Sequence, residues 1–141
     1  MGRVHPLTWF FKLEMRVQAK LLAHPHGYLP EAVATKIPRR IDPVRDRNPA
    51  DPPRWHLRSA EAIRLEEERL RLDSWWHSLA GRTRDALVEH RTGKVPAKYW
   101  DAVLDLDPRG APAGTDLAQP FELTGITAAY VEMVALGADP R

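Results

Sequence analysis

The chain contains no cysteine. That excludes disulfide cross-links and cysteine-ligated zinc, and it fits a reducing compartment, so a cytoplasmic location is expected. Nowhere does an apolar run approach the roughly 20 residues that a membrane-crossing helix needs. The first apolar stretch is interrupted by Lys12, Glu14 and Arg16, which is not the pattern of a secretory leader. The three serines, Ser59, Ser74 and Ser78, lie outside any G-x-S-x-G turn. Gly110 and Gly114 stand in a Pro/Ala stretch with no strand before them, so a phosphate-cradling glycine loop is missing as well. With no catalytic signature, the chain is expected to be non-enzymatic and to need no cofactor.

What is present is ordinary in bulk. The 141 residues can bury one core, or two small cores that lean on each other. Apolar residues at 43% and charged residues at 28% match a soluble globular domain. A net charge of +2 is mildly basic. Thirteen prolines are many, and they gather in a few extended stretches. Arg outnumbers Lys and Ala is abundant, a composition that points to a GC-rich bacterial or phage genome.

The chain also matches itself at an offset of about 66 residues. Trp9, Leu13, Arg16, Leu21, His24, Gly27 and Pro30 recur as Trp75, Leu79, Arg82, Leu87, His90, Gly93 and Pro96. After a divergent middle the register returns: Trp55, Leu57, Ala62, Leu65, Glu66 and Leu70 fall against Phe121, Leu123, Ala128, Val131, Glu132 and Leu136. The organisation read from this is an N-terminal arm (1–7), one helical repeat (8–73) and a second (74–139). Residues kept in both copies serve folding, and differences between the copies are where function is sought.

Each repeat reads as helix, Gly-Pro corner, helix, proline-rich loop, helix. Thr8 is a candidate N-cap, and Phe10, Leu13, Val17 and Leu21 form one helical stripe. In the second copy Asp73 or Ser74 is the candidate cap, and Gly81 predicts a bend first, or else a split into two short helices. Gly27 and Gly93 are expected at positive φ where the first helix stops. Pro30 and Pro96 suit the first position of a second helix. Pro38 stops that helix early in the first copy, whereas in the second it continues towards Leu106. The proline-rich passages show no strand alternation. Ile63, Leu65, Leu70 and Leu72 supply the apolar face of the third helix, which runs almost directly into the Trp75 helix. Thr124 is read as the cap of the last helix and Gly137 as its stop. The fold class expected is all-α, a tandem duplication of a three-helix unit forming one pseudo-symmetric domain. Tryptophans 9, 55, 75, 76 and 100 are expected to supply much of the burial, each removing roughly 150–250 Å².

The chemistry-bearing residues are few. His24 and His26 have an H-x-H spacing that ligates metals, but Thr92 replaces His26 in the second copy and no carboxylate recurs beside either site. His24 and His90 are better read as donors to the last carbonyls of a helix, and no metal is expected. Asp105 and Asp107, like Glu66, Glu67 and Glu68, read as helix-end or solvated charge, because successive helical residues point in different directions. The corner between the helices is longer than the roughly 3–4-residue turn of a helix-turn-helix, and Asp101 and Asp105 would repel phosphate.

The arginines differ between copies. Residues 36–58 carry Lys36, Arg39, Arg40, Arg45, Arg47, Arg54 and Arg58 against Asp42, Asp46 and Asp51. Residues 102–124 carry Arg109 against Asp105, Asp107, Asp116 and Glu122. Either the basic and acidic stretches pack together, or the basic one grips phosphates or an acidic protein surface. The expected function is a small regulatory protein that binds nucleic acid, DNA first, through Lys36, Arg39, Arg40, Arg45, Arg47 and Arg54, with Trp55 as a stacking residue. The alternative is a protein-interaction module that adapts or inhibits a larger assembly and binds no nucleic acid.

Overall fold

A computed structural model of the chain describes residues 6–46, 54–108, 111 and 113–140. Among these are seven α-helices and one two-stranded ribbon, so the fold is mainly helical. The chain divides into two compact units, Met1–Arg69 and Leu70–Arg141.

The first unit begins with α1 (Thr8–Phe11), a single turn. Its N-cap is Leu7 and not Thr8. Leu7 is buried, and its carbonyl accepts from Phe11 N–H at 3.1 Å, so burial rather than a capping oxygen sets the start. The expected continuous stripe is then broken. The chain turns at Leu13, whose N–H bonds to Phe10, and restarts as α2 (Met15–Ala23). The break frees carbonyls inside the protein, which must find donors. Gln18, itself buried, supplies them: its Nε2 donates to Leu13 O at 2.8 Å and to Phe11 O at 3.4 Å.

At the other end of α2 the buried guanidinium of Arg69 donates to Leu22 O at 3.3 Å and Ala23 O at 3.1 Å. Those are end-of-helix carbonyls with no intrahelical partner. The corner follows. Gly27 has no positive φ, contrary to the sequence expectation, and neither has Gly93. Space at Gly27 is tight instead: a Cβ there would lie 3.1 Å from both His24 Cβ and His24 O. Pro30 is the N-cap of α3 (Glu31–Ala34), one position earlier than expected.

A 3₁₀ turn at Arg39–Ile41 leads to β1 (Val44–Arg45), antiparallel to β2 (Trp55–His56). The sequence showed no strand here. The pairing covers two residues on each side, and prolines 43, 49, 52 and 53 flank the paired residues without occupying them, so no ladder bond is lost to proline. Trp55 also pairs on its other side with Leu29, N–H to carbonyl in both directions. The third helix and the Trp75 helix are one long connecting helix, as their closeness in sequence suggested: α4 (Ser59–Ser78) continues without a break through Asp73 and Ser74, which therefore cap nothing. Its buried line is Ala62, Leu65, Arg69, Leu72 and Trp76, at steps of three and four. Ile63 and Leu70 lie off that line and are about half exposed, so they are not the core residues the sequence suggested.

The second unit contains the end of α4 and then α5 (Gly81–Glu89). Gly81 therefore starts a new helix and does not bend an old one. Arg84 reaches back across this break, Nε to Trp76 O at 3.0 Å and Nη2 to His77 O at 3.3 Å. Pro96 precedes a 3₁₀ turn, Ala97–Tyr99, that runs into α6 (Trp100–Leu106). Val95 pairs with Phe121, and Trp100 stacks on Phe121 with centroids 4.0 Å apart. The last helix is α7 (Gly125–Ala135). Thr124 is its N-cap, as expected, but its hydroxyl accepts no capping bond. At its end Gly137 has φ +99, and bonds run from Gly137 N–H to Val134 O and from Ala138 N–H to Met133 O, the paired closure that a left-handed glycine permits. Tyr130 is fully buried, edge-on to Trp76, and its hydroxyl donates to the buried Asp73 at 2.7 Å.

Several features fall at the 66-residue spacing seen in the sequence. Helices α2 and α5 are nine residues each with corresponding ends. Pro30 and Pro96 are both N-caps, and the Leu29–Trp55 and Val95–Phe121 bridges correspond. Trp9, Leu13, Leu21, Leu29, Trp75, Leu87 and Val95 are buried, and Leu79 is half-buried.

Candidate functional site

The stretch from the end of α3 to β2 places the basic residues. Lys36 is exposed beyond α3, and Arg39 and Arg40 are exposed on the 3₁₀ turn. Arg45 is exposed on β1 and directly opposite Trp55. Trp55 sends its backbone bonds to Leu29, so Arg45 and Trp55 form a pair whose side chains share one face of the ribbon. Across that face burial falls in steps, from Leu29 in the core to half-buried Trp55 to exposed Arg45. Arg54 stands just before β2, its Cζ 5.2 Å from the centre of the Tyr28 ring, a cation–π distance. Arg47 and Arg109 lie outside the described residues.

Arg58 differs from the other basic residues of this stretch. Its Nε donates to Asp42 O at 2.8 Å, which ties the start of the ribbon to the approach of α4. Among the described residues, no carboxylate lies within ion-pair distance of Lys36, Arg39, Arg40, Arg45 or Arg54. In the second unit Arg91 pairs with Glu132 at 3.1 Å and Lys94 with Glu122 at 3.6 Å. Asp116 is also occupied locally, accepting from Ala118 N–H at 2.9 Å.

Trp55 is placed differently from a free stacking residue. Its indole Nε1 is buried with no hydrogen-bond partner among the described residues. The ring borders a hollow of about 360 Å³ that Glu31, Asp42 and Thr35 also line, an acidic surface that disfavours phosphate. The exposed aromatic beside an arginine is Tyr28, which sequence reading passed over. A signal for it existed: if Leu29 turns into the core, its extended neighbour turns out. A second cavity, of about 470 Å³, lies along α2 and the corner. Among the described residues, no three His, Asp or Glu side chains gather as a metal site, and no helix is long and apolar enough to cross a membrane.

Compared with protein-family models, curated proteins and solved structures, the chain has no match.

Proposed function

We propose that this chain is a small non-enzymatic regulator that binds nucleic acid, duplex DNA first, through the cationic ribbon of its first unit. One observation carries the reading: Lys36, Arg39, Arg40, Arg45 and Arg54 are exposed and have no carboxylate partner among the described residues. A guanidinium that is not used inside the protein is free to fork onto two phosphate oxygens, and its neighbours on a short ribbon add to the same field. Tyr28, with Arg54 over its ring, offers an exposed aromatic surface in the same segment.

We infer further that the two units are tandem copies of one ancestral three-helix unit. The support is the 66-residue spacing shared by side chains, helix ends and backbone bridges. On that reading the copies diverged in charge, and the basic copy carries the binding.

The test is equilibrium binding of a short duplex across a salt series. About four phosphate contacts give a loss on the order of a hundredfold between 50 and 200 mM salt. No binding of duplex or single strand at low salt would overturn the nucleic-acid reading and favour an acidic protein partner on the same residues.

A further inference from the structure

We propose that the first unit has a second binding site, bordering the first at Tyr28: the cavity along α2 and the corner, which takes a small apolar carboxylate. The cavity measures about 470 Å³, within the roughly 300–1,000 Å³ of small-molecule pockets. Val17, Leu21, Leu29 and Val33 make apolar walls. The polar side chains that line it are Lys20, His24 and Tyr28, and no carboxylate is among the lining residues. Lys20 and His24 are one helical turn apart, so their heads share one side of the helix. An apolar hollow bordered by a cation, an imidazole and a phenol, with no acid, suits a ligand with a hydrocarbon body and an anionic end. A bare phosphate would gain nothing from the walls.

The second unit shows which of these features folding requires. Leu21, His24, Gly27 and Pro30 recur there as Leu87, His90, Gly93 and Pro96. The lysine does not recur: Ala86 stands at the position of Lys20 and is buried. Val33 is replaced by the much larger Tyr99, and Tyr28 by Lys94, which is paired with Glu122 at 3.6 Å. The cation and the space are thus particular to the first unit, as expected for a ligand site and not for a folding requirement. Gly27 contributes as well. A side chain there would press on His24 from 3.1 Å, so the glycine lets His24 keep its place at the cavity.

The experiment is isothermal titration of the full chain with decanoate, with decanol and decylamine as controls of equal chain length. Saturable one-to-one binding of decanoate, at least tenfold tighter than decanol or decylamine, is expected. Lys20→Ala and Val33→Tyr each copy the residue of the second unit. Lys20→Ala should bring decanoate down to the affinity of decanol, and Val33→Tyr should abolish binding of both. Should Val33→Tyr unfold the protein, contacts between decanoate methylenes and Leu21 and Val33 methyls, read by NMR on the wild type, replace it. No saturable binding of decanoate, equal binding of decylamine, or unchanged affinity in Lys20→Ala would each overturn the proposal. None of these outcomes depends on duplex binding, so the two sites are judged separately.

Discussion

Gln18 and Arg84 make the same bond with different chemistry. The amide Nε2 of Gln18 reaches Phe11 O at 3.4 Å, and the guanidinium Nη2 of Arg84 reaches His77 O at 3.3 Å, in each case seven residues back. Both side chains sit in the first turn of a nine-residue helix and satisfy a carbonyl freed by the break before it. The environments differ. Gln18 is buried, whereas Arg84 is half-buried, and its head is free to meet water. Gln18→Ala should therefore cost about 1–3 kcal/mol, because a buried carbonyl loses its donor and water cannot replace it. Arg84→Gln should cost under about 1 kcal/mol. Urea denaturation of the two variants measures the difference, and equal costs would contradict it.

Asp73 and Tyr130 form the buried polar contact of the second unit. Tyr130→Phe keeps the ring against Trp75 and Trp76 and removes one donor from Asp73. A loss of about 1–3 kcal/mol is expected, with the fold unchanged. Stability within 0.3 kcal/mol of wild type, on the order of measurement error, would mean that the bond adds nothing net.

The glycines should respond in three different ways. Gly125 has φ +62, so Gly125→Ala forces an alanine into the left-handed region at about 1–2 kcal/mol. Gly93 has neither a positive φ nor any heavy atom within 4 Å of an added Cβ, so Gly93→Ala should be neutral or stabilise by up to about 1 kcal/mol through the unfolded state. Gly27→Ala should destabilise, since the atoms it would crowd include a backbone carbonyl. Thermal melts of the three variants rank them, and any other order counts against these local geometries.

Arg39 and Arg58 separate binding from folding. Arg39→Ala should lower the salt slope of duplex binding by about one and leave the melting temperature alone. Arg58→Ala removes the bond to Asp42 O and should lower the melting temperature. The reverse pattern would mean that the ribbon arginines hold structure and not phosphate.

The sequence made the core legible wherever a residue recurred with its neighbours. Trp9, Leu21, Trp75 and Leu87 were readable because apolar side chains on helices bury together, and Leu29 and Val95 because an apolar residue between the corner glycine and proline turns back towards the core. Helix ends were less readable. Thr124 caps the last helix where expected, but at the first helix the burial of Leu7 moves the cap one residue ahead of Thr8. The positive-φ reading of Gly27 failed because a glycine is kept for two reasons, dihedral freedom or close approach, and the letter does not say which; Gly93 shows neither. The β1–β2 ribbon was hidden because two residues are too few to alternate visibly. The basic residues of the candidate site were legible as a charge difference between two stretches. Their division into a structural Arg58 and exposed, unpaired neighbours depends on a single long-range bond to Asp42, which no local pattern encodes.

The placement of Trp55 makes it a built-in optical reporter. The other four tryptophans are buried, so collisional quenchers reach the half-buried Trp55 first. Its cross-strand neighbour is Arg45, while Glu31 and Asp42 line the hollow that its ring borders, so charge of both signs stands near the indole. Iodide gathered at Arg45 should dim the emission of the folded protein from the ribbon side, and caesium gathered at Glu31 and Asp42 from the side of the hollow. A polyanion seated on the ribbon would displace iodide and restore the light, so occupancy can be followed in unlabelled protein.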